Sequence, residues 1–315
     1  MLYINKKSYL KSPVTTVFLI LIFLFLNYVM FTQSTKKQEY YDAIFGFVPS
    51  ENSDVVQTNA DNLAAMIKKE TGLNVKIFIS TSYNTLIEAM KSNQVDFATF
   101  PPFAFTEAEK LANAELLLKT TRQGKDYYYS AIIVRKDSGI ESIQDLRGKS
   151  IAWAQPTSAG GYIFPKADLI KKGILKSDND KTFFSEELNA GGHDAVVLSV
   201  FNKKVDAGAT FANDNENISG AWDRYLKDSA DVKMIKAIYY TEKIPMDVFT
   251  VRKDYKTNNP EKTQKIIDFL LNITKTEEGK QIIKSFDRES FVPARSEEYD
   301  IVRDAGKILN VQPEK

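Results

Sequence analysis

Ser92-Asn93-Gln94-Val95-Asp96-Phe97-Ala98-Thr99-Phe100 and Phe201-Asn202-Lys203-Lys204-Val205-Asp206-Ala207-Gly208-Ala209-Thr210-Phe211 are two versions of one pattern. Each closes a stretch with helical spacing, opened by Tyr83 in the first copy and by His193 in the second. The openers stand at the same distance from the aspartates (83 to 96, 193 to 206), and the second copy has one more residue before its Thr-Phe. The repeat predicts two similar lobes, each with a helix feeding a Val-Asp strand. In open parallel sheets ligands sit beyond the carboxyl ends of strands, near helix N-termini. Tyr83 and His193 would stand at two equivalent helix starts, and Phe100 and Phe211 would follow two equivalent strands. If the lobes face each other, all four line one cleft.

Working outward, strands and helices alternate. Residues 41–48 read as a strand. Val56, Ala60, Leu63 and Ile67 then recur at helical spacing, with Gly72 as a stop. Val75, Ile77 and Ile79 alternate as a strand, and residues 95–100 form a short buried strand stopped by Pro101-Pro102. Further strands are expected over 128–135, 150–154, 205–210, 232–238 and 247–251, with helices over about 160–172 and 193–202. Pro260 opens another helix carrying Ile266, Ile267, Leu270 and Leu271, and two shorter helices are expected after it. This alternation predicts an α/β architecture with largely parallel sheets.

The N-terminus differs. Lys6, Lys7 and Lys11 precede an apolar stretch over 14–31, the pattern of an export signal. Thr32-Gln33-Ser34 offers small residues for cleavage after Ser34, while the apolar stretch approaches the ~20 residues of a membrane span. Residues 1–34 are therefore a signal peptide or an N-terminal membrane anchor. Either places the remainder in the periplasm or on the outer face of the cytoplasmic membrane. The chain has no cysteine, which excludes disulfides, a thiolate metal site, a cysteine nucleophile and a lipoprotein anchor. Its formal charge is +1; without the first 34 residues 39 basic face 41 acidic residues, a balance of −2. No net field draws in nucleic acid, so any anion must be held by a local site.

The sharpest local signal is Gln155-Pro156-Thr157-Ser158-Ala159-Gly160-Gly161-Tyr162, between the 150–154 strand and the following helix. Thr157 and Ser158 are natural N-caps. The paired glycines let backbone N–H groups approach a ligand, and the positive end of a helix favours anions. A plain capped helix start reads the same way in isolation. His193 is the only histidine; it is either a satisfied structural residue or a hydrogen-bond donor to a ligand, and partners at the spacing of a metal site are not visible. Asp247 enters an apolar strand, where an unpaired carboxylate is costly; it is either a turn cap or a ligand contact. Asp96 and Asp206 read as structural, and the run Tyr127-Tyr128-Tyr129 as packing at a lobe junction.

These stretches, with Gly46-Phe47-Val48-Pro49-Ser50-Glu51, Asp145-Leu146-Arg147-Gly148-Lys149, Tyr162-Ile163-Phe164-Pro165, Gly191-Gly192-His193-Asp194 and Ile244-Pro245-Met246-Asp247, resemble the phosphonate/phosphite/phosphate-binding proteins of ABC importers. The resemblance runs over about residues 44–293. It implies a two-lobed, type II periplasmic-binding-protein-like fold, with two parallel-rich sheets joined by crossing strands and closing on ligand. One lobe would hold residues 40–130 and 248–315, the other 131–247. It implies oxyanion binding by Thr157, Ser158, Ala159, Gly160 and Gly161, a contact from His193, and a cleft lined by Tyr83 and Phe100. It also implies that Asp247 and Asp214, or Asn213 in that loose register, hold an amine where the ligand carries one. Ala159 and Gly160 stand where the family's phosphonate binders have hydroxyls, and Phe100 where tyrosine is frequent, so the ligand is less defined than the fold.

The resemblance implies a receptor without catalysis or cofactor, expected to be monomeric. It would deliver a small oxyanion, phosphonate, phosphate or a related ester, to a permease driven by an ATPase. A membrane-anchored sensor of the same fold, or a receptor for another small anion, is the alternative. An enzyme finds no support: no nucleophile–base pair and no phosphate-binding glycine motif of the nucleotide-binding kinds stands out.

Overall fold

The computed structural model describes residues 17, 21–23, 40–48 and 53–309. Most of the apolar N-terminal stretch, the expected cleavage site at Ser34 and the Pro49-Ser50-Glu51 part of the first motif lie outside the described residues. Among the described residues no helix is long and apolar enough to cross a membrane. The described residues from Tyr41 onward form one compact unit.

That unit contains two six-stranded sheets. The first has the order β12-β4-β11-β3-β1-β2, from Ala43–Phe47 (β1), Val75–Ile79 (β2), Phe97–Phe100 (β3), Ala114–Thr121 (β4), Val248–Arg252 (β11) and Ser290–Pro293 (β12). The second runs β10-β5-β8-β6-β7 with β9 also on β5, from Tyr127–Arg135 (β5), Ser150–Ala154 (β6), Glu186–Gly191 (β7), Ala207–Ala212 (β8), Ile235–Tyr240 (β9) and Ile244–Pro245 (β10). The chain passes between sheets at 122–126 and returns at 246–247, so all of β5 from Tyr127 belongs to the second sheet. Each sheet is mixed, where largely parallel sheets were expected. β2-β1-β3 and β7-β6-β8 are parallel. The strand arriving from the other lobe then runs antiparallel: β11 against β3, and β5 against β8.

Helices cover both faces of each sheet, so each sheet lies between two apolar clusters. On one face of the first, Phe45, Phe97 and Phe249 interlock, the Phe45 and Phe97 ring centroids 4.9 Å apart. On the other, Phe100, Phe103 and Phe105 share a cluster with Ile163 and Phe164 of the second lobe and with Tyr299 and Val302 near the C-terminus. The helix Asp300–Leu309 thus packs the two lobes together on one side.

The helix boundaries have local causes. Ser82 caps Tyr83–Lys91 by accepting from the Thr85 N–H at 3.1 Å. Pro102 and Pro260 open helices at positions that need no intrahelical N–H bond. The strand-ending Pro101-Pro102 is therefore also a helix start, and Asn113 closes that helix in the left-handed region at φ 50°.

The repeat has a mechanical basis. Asp96 Oδ2 accepts the Ile44 N–H at 2.9 Å, fastening β3 to β1. Asp206 Oδ2 accepts the Ser150 N–H at 2.9 Å and the Ser150 hydroxyl at 2.8 Å, fastening β8 to β6. Ile44 immediately precedes the pair Phe45–Phe97, and Ser150 the pair Ile151–Ala207, so the registers coincide. The extra residue of the second copy then falls inside β8. Thr210, not Phe211, is the structural equivalent of Phe100.

Asp96 carries a second duty, since its Oδ1 pairs with the buried Arg252 guanidinium at 2.8 Å. Asp96→Ala removes both the Ile44 clamp and one of the two carboxylates on Arg252, which keeps Asp254 and Asn93, and should cost up to about 3–5 kcal/mol. Asp206→Ala loses hydrogen bonds to one carboxylate only and should cost about 1–3 kcal/mol. Denaturant melts of the two variants check the order, and equal losses would contradict it.

Candidate functional site

The turn after β6 is shaped by two short hydrogen bonds and by close packing. Ser158 N–H donates to Gln155 O at 2.8 Å, and Ser158 Oγ accepts the Gly161 N–H at 3.1 Å. The helix expected over 160–172 opens instead as one π-helical turn, Ala159–Ile163, before the α-helix Phe164–Lys171. Single π-turns of this kind recur at functional sites. The Ala159 and Gly160 N–H groups are first-turn donors with no intrahelical acceptor. Their residues are buried in the wall of the cleft, while Thr157 and Ser158 are partly exposed at its lip.

The glycines are there for room. A Cβ on Gly161 would run into the Ala154 Cβ and come within 3.0 Å of His193 Cε1. On Gly160 it would stand 3.0 Å from Tyr128 Cε2 and 3.5 Å from Phe211 Cβ. The Gly160 carbonyl accepts the buried Ser130 hydroxyl at 2.6 Å, which fixes the turn against β5.

His193 begins the helix His193–Phe201 and reaches the same turn. Its Nε2 lies 3.3 Å from Ser158 Oγ, its Nδ1 2.9 Å from the fully buried Thr210 Oγ1, and its ring packs edge-on against Phe211 at 5.1 Å. Burial pushes its pKa down to about 4; Arg224 and Arg122 push the same way, against Asp194. The imidazole is neutral at pH 7. The positions equivalent to His193 and Thr210 in the first lobe are Tyr83 and Phe100, ring centroids 6.5 Å apart.

Tyr83 and Tyr128 both have their phenol pKa raised, first by burial and then by the Asp247 charge. They bring the walls of the two lobes together around Asp247. Tyr128, expected only to pack at a lobe junction, also lies against Gly160 of the 158–161 turn. Its neighbours in the run do pack: Tyr127 and Tyr129 stand edge to face at 5.8 Å.

The two acidic candidates are already engaged. Asp247 is paired with Arg288 from the segment before β12. Asp214 spends its oxygens on the backbone N–H groups of Glu216, Ile218 and Ser219 at 2.8–3.1 Å, closing its own loop. Asn213 donates to Ser219 Oγ at 2.7 Å. Asp214 and Asn213 thus help to close this loop, with Asn213 Oδ1 buried and without a hydrogen-bond partner among the described residues, and Asp247 has a cationic partner from the protein itself. Residues the sequence reading did not single out complete the surroundings: Thr210 behind His193, and the guanidiniums Arg122 and Arg288 near Asp247. Among the described residues no group of three His, Asp or Glu side chains is placed to hold a metal.

The family model described as the ABC transporter, phosphonate, periplasmic substrate-binding protein matches residues 45–299. The chain is 27% identical over 268 residues to the phosphate-import protein PhnD of Mycolicibacterium smegmatis, covering 82% of this chain and 78% of that one. It is 29% identical over 247 residues to the phosphonates-binding periplasmic protein of Escherichia coli, covering 76% and 68%. In fold it is similar to PhnD1 of Prochlorococcus marinus solved with methylphosphonate, with a TM-score of 0.68 at 20% identity over 85% of this chain and 98% of that one. A binding-protein component of an ABC phosphonate transporter from Pseudomonas aeruginosa gives a TM-score of 0.67 at 23% identity over 85% and 86%.

The depressed His193 pKa fixes a pH dependence. Above pH 6.5 the ring is neutral folded or unfolded; as pH falls toward 4 only the unfolded chain takes up the proton, so stability is lost across that window. The loss should reach up to roughly 3 kcal/mol, less where cleft water screens the ring. Unfolding free energies at several pH values check this. His193→Gln should flatten the slope between pH 6.5 and 4, and an unchanged slope would contradict the assignment.

Proposed function

The chain belongs to the periplasmic substrate-binding proteins of ABC phosphonate transporters, and from that premise we propose that it captures a phosphonate, phosphate or related oxyanion ester at the 157–161 turn. The observation that carries this reading is the convergence on one point of a helix start, paired glycines and a neutral histidine. The first-turn N–H groups of Ala159 and Gly160 supply donors where the side chains supply none. Ser158 Oγ and His193 Nε2 stand at the edge of the same space, 3.3 Å apart.

The proton arrangement follows from the anion. A neutral imidazole donates from one nitrogen and accepts at the other. To donate to an oxyanion from Nε2, His193 must accept at Nδ1, so the Thr210 hydroxyl is the donor in that bond. Thr210 is thus a positioning residue that selects the tautomer. Tyr83, Tyr128 and Phe100 close the space from the other side, and Phe100 supplies shape but no donor. We propose that the two lobes close on the ligand about the passages at 122–126 and 246–247. The bound protein then docks on a membrane permease driven by an ATPase. Both walls of the site come from one chain, so a monomer suffices.

Calorimetry with inorganic phosphate and methylphosphonate tests this site. Gly160→Asp places a negative charge where the ligand's charge sits and should abolish binding. Gly160→Ala, with the same Cβ against Tyr128, should retain more of it. Equal affinity in wild type and Gly160→Asp would remove the turn from the site. His193→Ala should weaken binding about tenfold to a hundredfold, the scale of one hydrogen bond to a charged group. Thr210→Val should approach that loss, with Thr210→Ser restoring affinity; a Val variant that binds like wild type would exclude the tautomer role.

A further inference from the structure

The end of the cleft beside the lobe crossings is built of arginines. Arg122 follows β4 at the first crossing, Arg288 precedes β12, and Arg224 closes the helix Ala221–Tyr225. Two carboxylates lie among these three guanidiniums. Asp287 meets Arg122 Nη2 at 2.8 Å, pairs with Arg224 and lies 3.8 Å from Arg288, while Asp247 pairs with Arg288. Arg122 is incompletely satisfied: among the described residues its Nε is buried without a hydrogen-bond partner, and Asp287 is the one carboxylate within ion-pair distance. About a fifth of its side chain remains exposed. Burial and repulsion from Arg288 and Arg224 disfavour its charge, a cost that a further anion would relieve.

The distance to the anion turn is one aromatic ring. Arg122 Cζ lies 5.5 Å from the Phe211 ring centroid, and the same ring meets His193 at 5.1 Å. Phe211 Cβ is 3.5 Å from the position a Gly160 Cβ would take. A ligand lying along Phe211 with one end at 158–161 therefore has its other end facing Arg122.

Resting on the reading of 157–161 as the oxyanion turn, we propose that Arg122 forms a second anion subsite, and that the ligand is a small phosphonate or phosphate ester bearing a second anionic group, such as a carboxylate. A guanidinium suits this task because it keeps its charge and its planar donors in a partly buried place. An ammonium tail fits poorly there, since Asp247 and Asp287 are already paired and Asp214 faces its own loop.

The test is calorimetric titration with methylphosphonate, phosphonoacetate, 3-phosphonopropionate and 2-aminoethylphosphonate. One of the two phosphonocarboxylates should bind about tenfold or more tighter than methylphosphonate, the scale of a charge-assisted hydrogen bond. Aminoethylphosphonate should bind more weakly than methylphosphonate. Arg122→Gln should erase the carboxylate's advantage while leaving methylphosphonate within about threefold. Arg122→Lys keeps the charge and should retain part of the advantage, which guards against a Gln variant that fails to fold. Methylphosphonate binding as tightly as both phosphonocarboxylates, or aminoethylphosphonate binding tightest, overturns the second subsite and leaves the oxyanion turn standing. Equal weakening of all ligands by both Arg122 variants overturns it too. If none of the four binds, the oxyanion turn falls with it.

Discussion

Gly161 has space for a hydrogen atom and nothing larger, and the geometry of the cleft depends on that closeness. Its Cα lies against Ala154 at the end of β6, which draws the helix start down onto the sheet. The same approach brings Ser158 Oγ and the His193 ring to its other sides, each about 3 Å from where a Cβ would be. A side chain at this position would push the turn off β6, and the serine, the histidine and the free N–H groups would no longer point to one place. The π-turn at 159–163 carries both glycines, Gly161 against β6 and Gly160 against Tyr128 and Phe211.

Charge is segregated around the site. At the helix start there is no formal charge at all, only N–H dipoles, a hydroxyl and a neutral imidazole. Such a site holds an anion by directed donors and needs no buried cation to do so. Formal charges gather where the chain crosses between lobes: Arg122, Arg224 and Arg288 against Asp247 and Asp287. Beside them Lys119 bridges Asp126 and Glu298. Lys119 and Asp126, on either side of the first crossing, thereby tie to Glu298 near the C-terminal helix, and the Tyr299 hydroxyl donates to Met246 O at 2.7 Å at the second crossing. The passages between lobes, the C-terminal helix and the cleft are one connected structure.

Much of this was legible in the sequence because it is local. β6 and the helix starting at His193 follow from apolar runs bounded by glycine and turn residues, and the repeated Val-Asp gave both strand clamps. β7 was not legible: Glu186-Glu187-Leu188-Asn189-Ala190-Gly191 is a largely exposed edge strand with no apolar alternation. β4 hides a buried lysine whose partners stand at 126 and 298. The site shows the same division. Ser158, the glycines and His193 are set by neighbours in sequence. Thr210, Tyr128 and Arg122 enter through tertiary contacts that no spacing rule records. Equating Phe100 with Phe211 followed the extra residue of the second repeat, whereas the Asp206 clamp sets the register and puts Thr210 there. Asp247 looked unpaired only because its arginine lies 41 residues away in the chain.

The central claim is that backbone N–H groups at one helix start, together with His193, hold the oxyanion. It is tested most directly by nitrogen-15 NMR of the intact chain titrated with methylphosphonate. The account predicts large, saturable shifts of the Ala159 and Gly160 amides and of His193 Nε2, with Nδ1 remaining an unprotonated acceptor. Shifts confined to surface lysines or to other helix starts, with the 159–161 amides and the His193 ring unmoved at saturation, would contradict it.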